Sequence, residues 1–122
     1  KKLAPFSGTT CIRAETGRAL WFSKNILPAM RKEDQLRQSD ALSPVLRHIG
    51  LYAYRLEALE QFARLPEAHY EALEGLEQLR MLENGMTIRA VLVDEPEISI
   101  GGVDTPEDLA LAERLLKARG LA

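Results

Sequence analysis

The stretch from Gly101 to Leu116 carries one acidic residue more than the start of a helix requires. Thr105 suits the N-cap, Pro106 the first helical position, and Glu107 and Asp108 complement the positive end of the helix dipole. Asp104 then stands just outside the helix, where a carboxylate could face a ligand or a cation. Alternatively, Asp104 is itself the cap. A second group of candidates lies in a helix expected from about His69 to Glu83. At roughly 100° per residue, Tyr70, Leu73, Leu76 and Leu79 form an apolar arc, with Glu77 and Arg80 inside or beside it and Glu71, Glu74 and Gln78 on an adjoining strip. Two charges thus point inward. Either Glu77 and Arg80 form an i,i+3 ion pair that pins the helix, or Glu77 and Gln78 accept hydrogen bonds from ligand hydroxyls.

Other chemistries are excluded more simply. His48 is one of only two histidines and has no histidine partner at metal-ligand spacing, so a zinc site is not expected and His48 reads as a hydrogen-bonded strand residue. Cys11 is alone, which rules out an intramolecular disulfide and a multi-cysteine metal site, suits a reducing compartment, and marks a small strand or core residue. None of the eight glycines builds a G-x-G-x-x-G or G-K-[ST] turn after a strand, so a nucleotide's phosphates would need another segment. Sixteen basic against eighteen acidic residues give a net charge of −2, which offers no field for nucleic acid or an anionic membrane surface. No apolar run approaches the roughly 18 residues of a membrane span, and no signal peptide opens the chain. The expectation is a soluble, cytoplasmic protein of one domain with a modest core, in keeping with 122 residues of which 46% are hydrophobic and 28% charged. Lys1-Lys-Leu-Ala-Pro is not an initiating sequence, so a piece of something longer is expected.

The elements that must hold these residues follow from pattern. Thr9 to Phe22 reads as a β-hairpin, with Ala14-Glu-Thr-Gly17 as its turn. Lys24 to Arg31 and Lys32 to Ser43 read as loops, the second, over 32–43, mobile. Val45 to Tyr54 looks like a buried strand, followed by a helix from Leu56 to about Leu65 that Pro66 separates from the 69–83 helix. Gly85 sits where a left-handed C-cap belongs, Met86 to Val93 returns as a strand, and Asp94 to Ser99 is a loop before the terminal helix. Strands interleaved with helices indicate an α/β fold or a piece of one.

Four stretches carry a resemblance. Trp21-Phe-Ser-Lys-Asn-Ile-Leu-Pro28, Leu46-Arg-His-Ile-Gly-Leu-Tyr-Ala-Tyr-Arg55, Leu76-Glu-Gln-Leu-Arg-Met-Leu82 with Asn84-Gly85, and Gly102-Val-Asp-Thr-Pro-Glu-Asp-Leu109 resemble, in order, motifs of the 3-deoxy-manno-octulosonate (Kdo) cytidylyltransferases, the CMP-Kdo synthetases. The resemblance runs from Thr9 onward and corresponds to the C-terminal half of those enzymes. The last motif is shared with related sugar nucleotidyltransferases; the second and third together are the more specific.

The resemblance implies the C-terminal portion of a Rossmann-like, glycosyltransferase-A-like nucleotidyltransferase fold, a mixed sheet with flanking helices. It implies transfer of CMP from CTP to Kdo with release of pyrophosphate, for lipopolysaccharide synthesis, with Mg2+ as cofactor and a homodimer as assembly. Asp104 matches the family's metal-binding aspartate, leaving Thr105 to cap the helix. His48, Tyr52, Glu77 and Gln78 fall around the sugar acid, with Lys24 and Arg31 near its carboxylate or the phosphates. Residues 1–122 would then be the sugar-acid-binding and dimerisation region, inactive alone. Lys24 stands where the family's F-S-R motif has Arg, and Leu27-Pro-Ala29 replaces I-P-W, so a point charge replaces a bidentate fork. Two alternatives follow: a cytidylyltransferase for another acidic sugar, and a non-catalytic dimerisation module.

Overall fold

The computed structural model describes residues 8–39, 43–94, 103 and 105–121. The chain divides into two compact units, Lys1–Val91 and Leu92–Ala122. The first begins with a hairpin of β1 (Thr10–Arg13) and β2 (Ala19–Ser23). Its turn closes through Ala14 N–H on the Arg18 carbonyl at 2.8 Å and Gly17 N–H on the Ala14 carbonyl at 2.9 Å. Gly17 has φ 92°, a value only glycine takes readily. Thr10 pairs with Ser23, Cys11 with Phe22 and Ile12 with Trp21; the register then slips so that Arg13 faces Ala19. Leu20 is the extra residue of this bulge and turns outward, half exposed.

β3 (Leu46–Arg47) adds to the other side of β1, giving an antiparallel sheet in the order β2-β1-β3. The described strands pair antiparallel, in a small sheet flanked by helices, in keeping with the α/β fold expected. The buried strand expected over Val45 to Tyr54 is cut to two residues. β1 supplies ladder partners only for Leu46 and Arg47, and after His48 N–H bonds the Thr9 carbonyl at 2.8 Å the chain leaves the sheet. Leu51, 87% exposed, shows the consequence. The strand expected over 86–93 is likewise a single bridge, Arg18 to Arg89, flanked by Ala19 N–H on the Ile88 carbonyl and Ala90 N–H on the Gly17 carbonyl, both 2.8 Å. The loop expected over 32–43 contains α1 (Glu33–Gln38), with Glu33 and Asp34 in its first turn and an Arg37–Glu33 pair one turn apart.

α2 (Leu56–Arg64) falls where its periodicity places it. The helix expected from His69 to Glu83 is two: α3 (His69–Glu74) and α4 (Gln78–Glu83). Gly75 separates them in the left-handed conformation, φ 64°, ψ 37°, which ends α3 and resets the helical phase. The wheel therefore fails as a whole: Leu76 and Leu79 are buried, but Tyr70 and Leu73 are exposed. Gly85, φ 74°, closes α4 in the expected left-handed form. Cys11, Ala19, Phe22, Leu76 and Leu79 form the core, with Trp21, Leu82, Ile88 and Ala90 packed against it. Trp21 also meets Tyr70 edge-on at 5.4 Å, which ties β2 to α3.

The second unit holds α5 (Pro106–Ala118). Thr105 is its N-cap: the hydroxyl accepts the Asp108 N–H at 3.2 Å, and the Asp108 carboxylate accepts the Thr105 N–H at 3.0 Å. Of the two cap assignments open in the sequence, the structure selects Thr105. Among the described residues no helix is long and apolar enough to cross a membrane.

Candidate functional site

The break at Gly75 builds a cleft. Gly50, Tyr52 and Tyr54 form one wall, Phe62 and Met81 add apolar surface, and Gly75, Leu76, Glu77 and Gln78 form the other wall, around a volume of about 380 Å3. That is room for a sugar-sized ligand. Glu77, expected inside an apolar arc, is exposed in the N-cap position of α4 and faces this cleft, since the phase reset carries it off the buried face. Of the two alternatives the sequence left open for Glu77, the ion pair with Arg80 is not found among the described residues. Arg80 instead makes a bidentate pair with Glu71, nine residues away, with its Nε 2.8 Å from Glu71 Oε2 and its guanidinium 4.7 Å above the Phe62 ring. That hydrogen bond, with a further one from the Ala68 N–H at 2.8 Å, holds the Glu71 carboxyl below its ordinary range despite burial.

Gln78 is buried on the cleft wall, and its Nε2 has no hydrogen-bond partner among the described residues. An unsatisfied buried amide costs about 1–3 kcal/mol, so the position stores a donor for something that enters. The sequence had suggested an acceptor here; the free group is the donor end.

Across the cleft, His48 Nε2 and the Tyr52 hydroxyl are 2.7 Å apart. Phe22 meets the His48 ring edge-on at 5.3 Å, and Tyr54 stacks on Tyr52 at 5.8 Å, so both polar groups are held by aromatic neighbours. Burial pushes the His48 pKa down from 6.5, which favours the neutral ring. Burial, then Tyr54, Cys11 and Glu77, push the Tyr52 phenol up to about 12. The pair is therefore an uncharged hydrogen-bonding unit. His48 is a hydrogen-bonded residue as expected, though just past the end of β3.

Lys24 is exposed just after β2 and is not itself a lining residue of the cleft, but its Nζ stands 3.4 Å from where a Cβ on the lining residue Gly75 would lie. Arg31 is exposed ahead of α1 and does not line the cleft. Asp104 lies outside the described residues. Sequence reasoning brought His48, Tyr52, Glu77 and Gln78 to one place, but missed Tyr54, Phe62 and Met81, and missed Glu74, whose contacts at the Lys24 turn are long-range. The signal for the break was Gly75 in mid-helix, where glycine costs stability unless its conformation is needed.

The arrangement offers a buried amide donor, an exposed carboxylate, a neutral imidazole–phenol pair and one ammonium. It suits binding and orienting a polyhydroxylated acid, and none of these groups is placed as an activated nucleophile.

A cytidylyltransferase family model matches residues 3–88, and the chain belongs to that family. Within it, the chain is 43% identical over 114 residues to a 3-deoxy-manno-octulosonate cytidylyltransferase of Maricaulis maris, covering 93% of this chain and 42% of that protein. It is 49% identical over 102 residues to the corresponding protein of Paramagnetospirillum magneticum, covering 84% of this chain and 36% of that protein. A solved structure of a CMP:2-keto-3-deoxy-manno-octonic acid synthetase complexed with CTP superposes with a TM-score of 0.75 at 32% identity, over 93% of this chain and 43% of that one. The chain thus spans about two fifths of the length of the relatives it matches.

Proposed function

We propose that this chain supplies the acceptor side of an enzyme that transfers CMP from CTP to Kdo with release of pyrophosphate. The observation that carries the reading is that Gln78, which lines the cleft with Tyr52 and Glu77, has a buried Nε2 without a partner among the described residues. Ligand hydroxyls would accept from Gln78 and donate to Glu77, with the His48–Tyr52 pair a third contact and Lys24 facing the carboxylate. The acceptor's hydroxyl attacks the α-phosphorus of CTP, so the protein's task is to align the two substrates and offset charge. The phosphates of CTP are left to groups beyond this cleft, and the chain by itself would neither bind CTP tightly nor turn over. Lys24 in place of arginine favours, as a second reading, an acceptor that is a related sugar acid.

Magnesium belongs to the same proposal. In this reading Asp104 is the carboxylate this chain contributes to a shared magnesium site; among the described residues no group of three His, Cys, Asp or Glu side chains gathers for a metal. Thr105 fits that role for Asp104, because it caps α5 without it. A bound ion would offset the triphosphate charge. A homodimer and a cytoplasmic location, where CTP is made and a lone Cys11 stays reduced, complete the proposal.

Gln78→Met in the enzyme containing this chain tests it. Removing an unsatisfied buried amide should leave stability equal or raised, yet lift the KM for Kdo roughly tenfold with little change for CTP. Equal changes for the two substrates, or an unchanged KM for Kdo, would sink the reading.

A further inference from the structure

We propose that Glu74 is the positioning residue that holds the Lys24 ammonium at the cleft, an assignment that rests on the acceptor-site reading above. Glu74 ends α3, next to Gly75, and its carboxylate reaches across to the end of β2. Both of its oxygens lie 3.0 Å from the Ser23 hydroxyl, and Oε2 accepts the Lys24 N–H at 2.6 Å. The Ser23 hydroxyl in turn accepts the Asn25 N–H at 3.0 Å. One carboxylate therefore fixes the backbone on both sides of Lys24.

The anchor works on a rigid base. Ser23 is buried, and its β-partner Thr10, fully buried, donates to the Asn25 carbonyl at 2.6 Å and accepts the Leu27 N–H at 3.2 Å. Residues 23–27 are thus pinned from the sheet by Thr10 and from α3 by Glu74. The only long flexible part left is the Lys24 side chain, whose Nζ rests against Gly75. Gly75 makes this possible twice: its left-handed backbone ends α3 directly after Glu74, and its missing side chain leaves the ammonium room beside a residue that lines the cleft. Charge-assisted hydrogen bonds such as those of Glu74 are roughly twice as strong as neutral ones, which suits a fixed anchor. A lysine ammonium finds its ligand as a point charge on a flexible stem, so recognition by Lys24 depends on where its backbone is held.

The test uses the enzyme that contains this chain, assayed with Kdo and CTP, together with limited trypsin digestion, since Lys24–Asn25 is a tryptic bond. Glu74→Ala should raise the KM for Kdo about tenfold, leave the KM for CTP within about twofold, and speed cleavage after Lys24. Glu74→Gln, which keeps one carbonyl acceptor, should restore most of the affinity and the protection. Ser23→Ala removes the hydroxyl half of the anchor and should move both readouts the same way by less, which keeps the proposal open to refutation if Glu74→Ala does not fold. Lys24→Ala separates two kinds of failure. If it leaves the KM for Kdo unchanged, the cleft reading of Lys24 falls and the positioning role with it. If Lys24→Ala raises that KM but Glu74→Ala and Ser23→Ala do not, or if the Glu74 variants shift both substrates equally, the positioning role alone is overturned.

Discussion

α3 and α4 are held from far away in the chain, whereas α5 is started by its own neighbours. In the first region Glu71 is paired with Arg80 across the Gly75 break, Glu74 reaches Ser23 and Lys24, and Glu83 accepts the Tyr70 N–H at 3.0 Å and the Glu71 N–H at 3.2 Å. In the second, Thr105 and Asp108 close the helix start between themselves. Both regions are rich in acidic residues, and in the first the carboxylates of Glu71, Glu74 and Glu83 make contacts that a helical wheel cannot show. The helical stretch that lines the cleft is broken at Gly75, its halves are held to each other by Glu71–Arg80 and Glu83, and Glu74 ties it to the end of β2. A helix with a complete cap needs no such help to begin.

The largest effect that sharpens this contrast is expected at Leu79, which is completely buried in α4 against Phe22 and Leu76. Leu79→Ala should cost about 2–5 kcal/mol in urea unfolding of the first unit, from lost burial plus the cavity left behind. Hydrogen exchange at α5 amides should change far less than exchange at α3 and α4. Comparable losses in both would mean that the two regions unfold together and would remove the contrast.

Acid offers the next test. Arg80 lowers the Glu71 pKa in the folded state, so the folded form binds that proton less readily than the unfolded one. The stabilisation is complete above the unfolded value near 4.5 and is lost as pH falls through the lower folded value. The urea midpoint of the first unit should therefore drop below pH 4.5, and Glu71→Gln, already weakened at pH 7, should show a shallower dependence. His48 acts in the same sense near 6.5, because burial lowers its folded value, and a Glu71→Gln, His48→Gln double variant should be flatter still. An unchanged acid slope in both variants would contradict the assignment.

What could be read in advance follows the same division. The hairpin, the span of α2, the left-handed Gly85 and the candidate cap Thr105 are set by residues within a few positions of one another, and pattern reasoning reached them. The Gly75 break was missed because an apolar spacing of three continues through Leu73, Leu76 and Leu79 whether or not the helix does. Arg80 was matched to Glu77 by spacing, but the break turns Arg80 towards Glu71. The extent of the 45–54 strand could not be read at all, since it depends on where β1 begins, and Leu51 looks buried by type while standing exposed. The resemblance named His48, Tyr52, Glu77 and Gln78; the structure lines one cleft with the last three and hydrogen-bonds His48 to Tyr52.

The smallest effect tests the local side of the contrast. The Thr105 hydroxyl accepts one of the free N–H groups at the start of α5, and the Asp108 carboxylate returns the bond to the Thr105 N–H. Thr105→Ala removes the first bond and, with it, the 2.8 Å hydroxyl contact that orients Asp108, a loss of about 1 kcal/mol by the usual worth of such caps. Hydrogen exchange at the first-turn amides of α5 should accelerate roughly fivefold, while Thr105→Ser should stay close to the parent. Amides of α3 and α4 should not respond, because their carboxylates are committed elsewhere. Asp104→Asn should leave α5 protection unchanged as well, since the cap does not need that side chain. If Asp104→Asn rather than Thr105→Ala exposed the first turn, Asp104 would be the cap and unavailable to a metal, and the carboxylate left over in the sequence would have been a structural one all along.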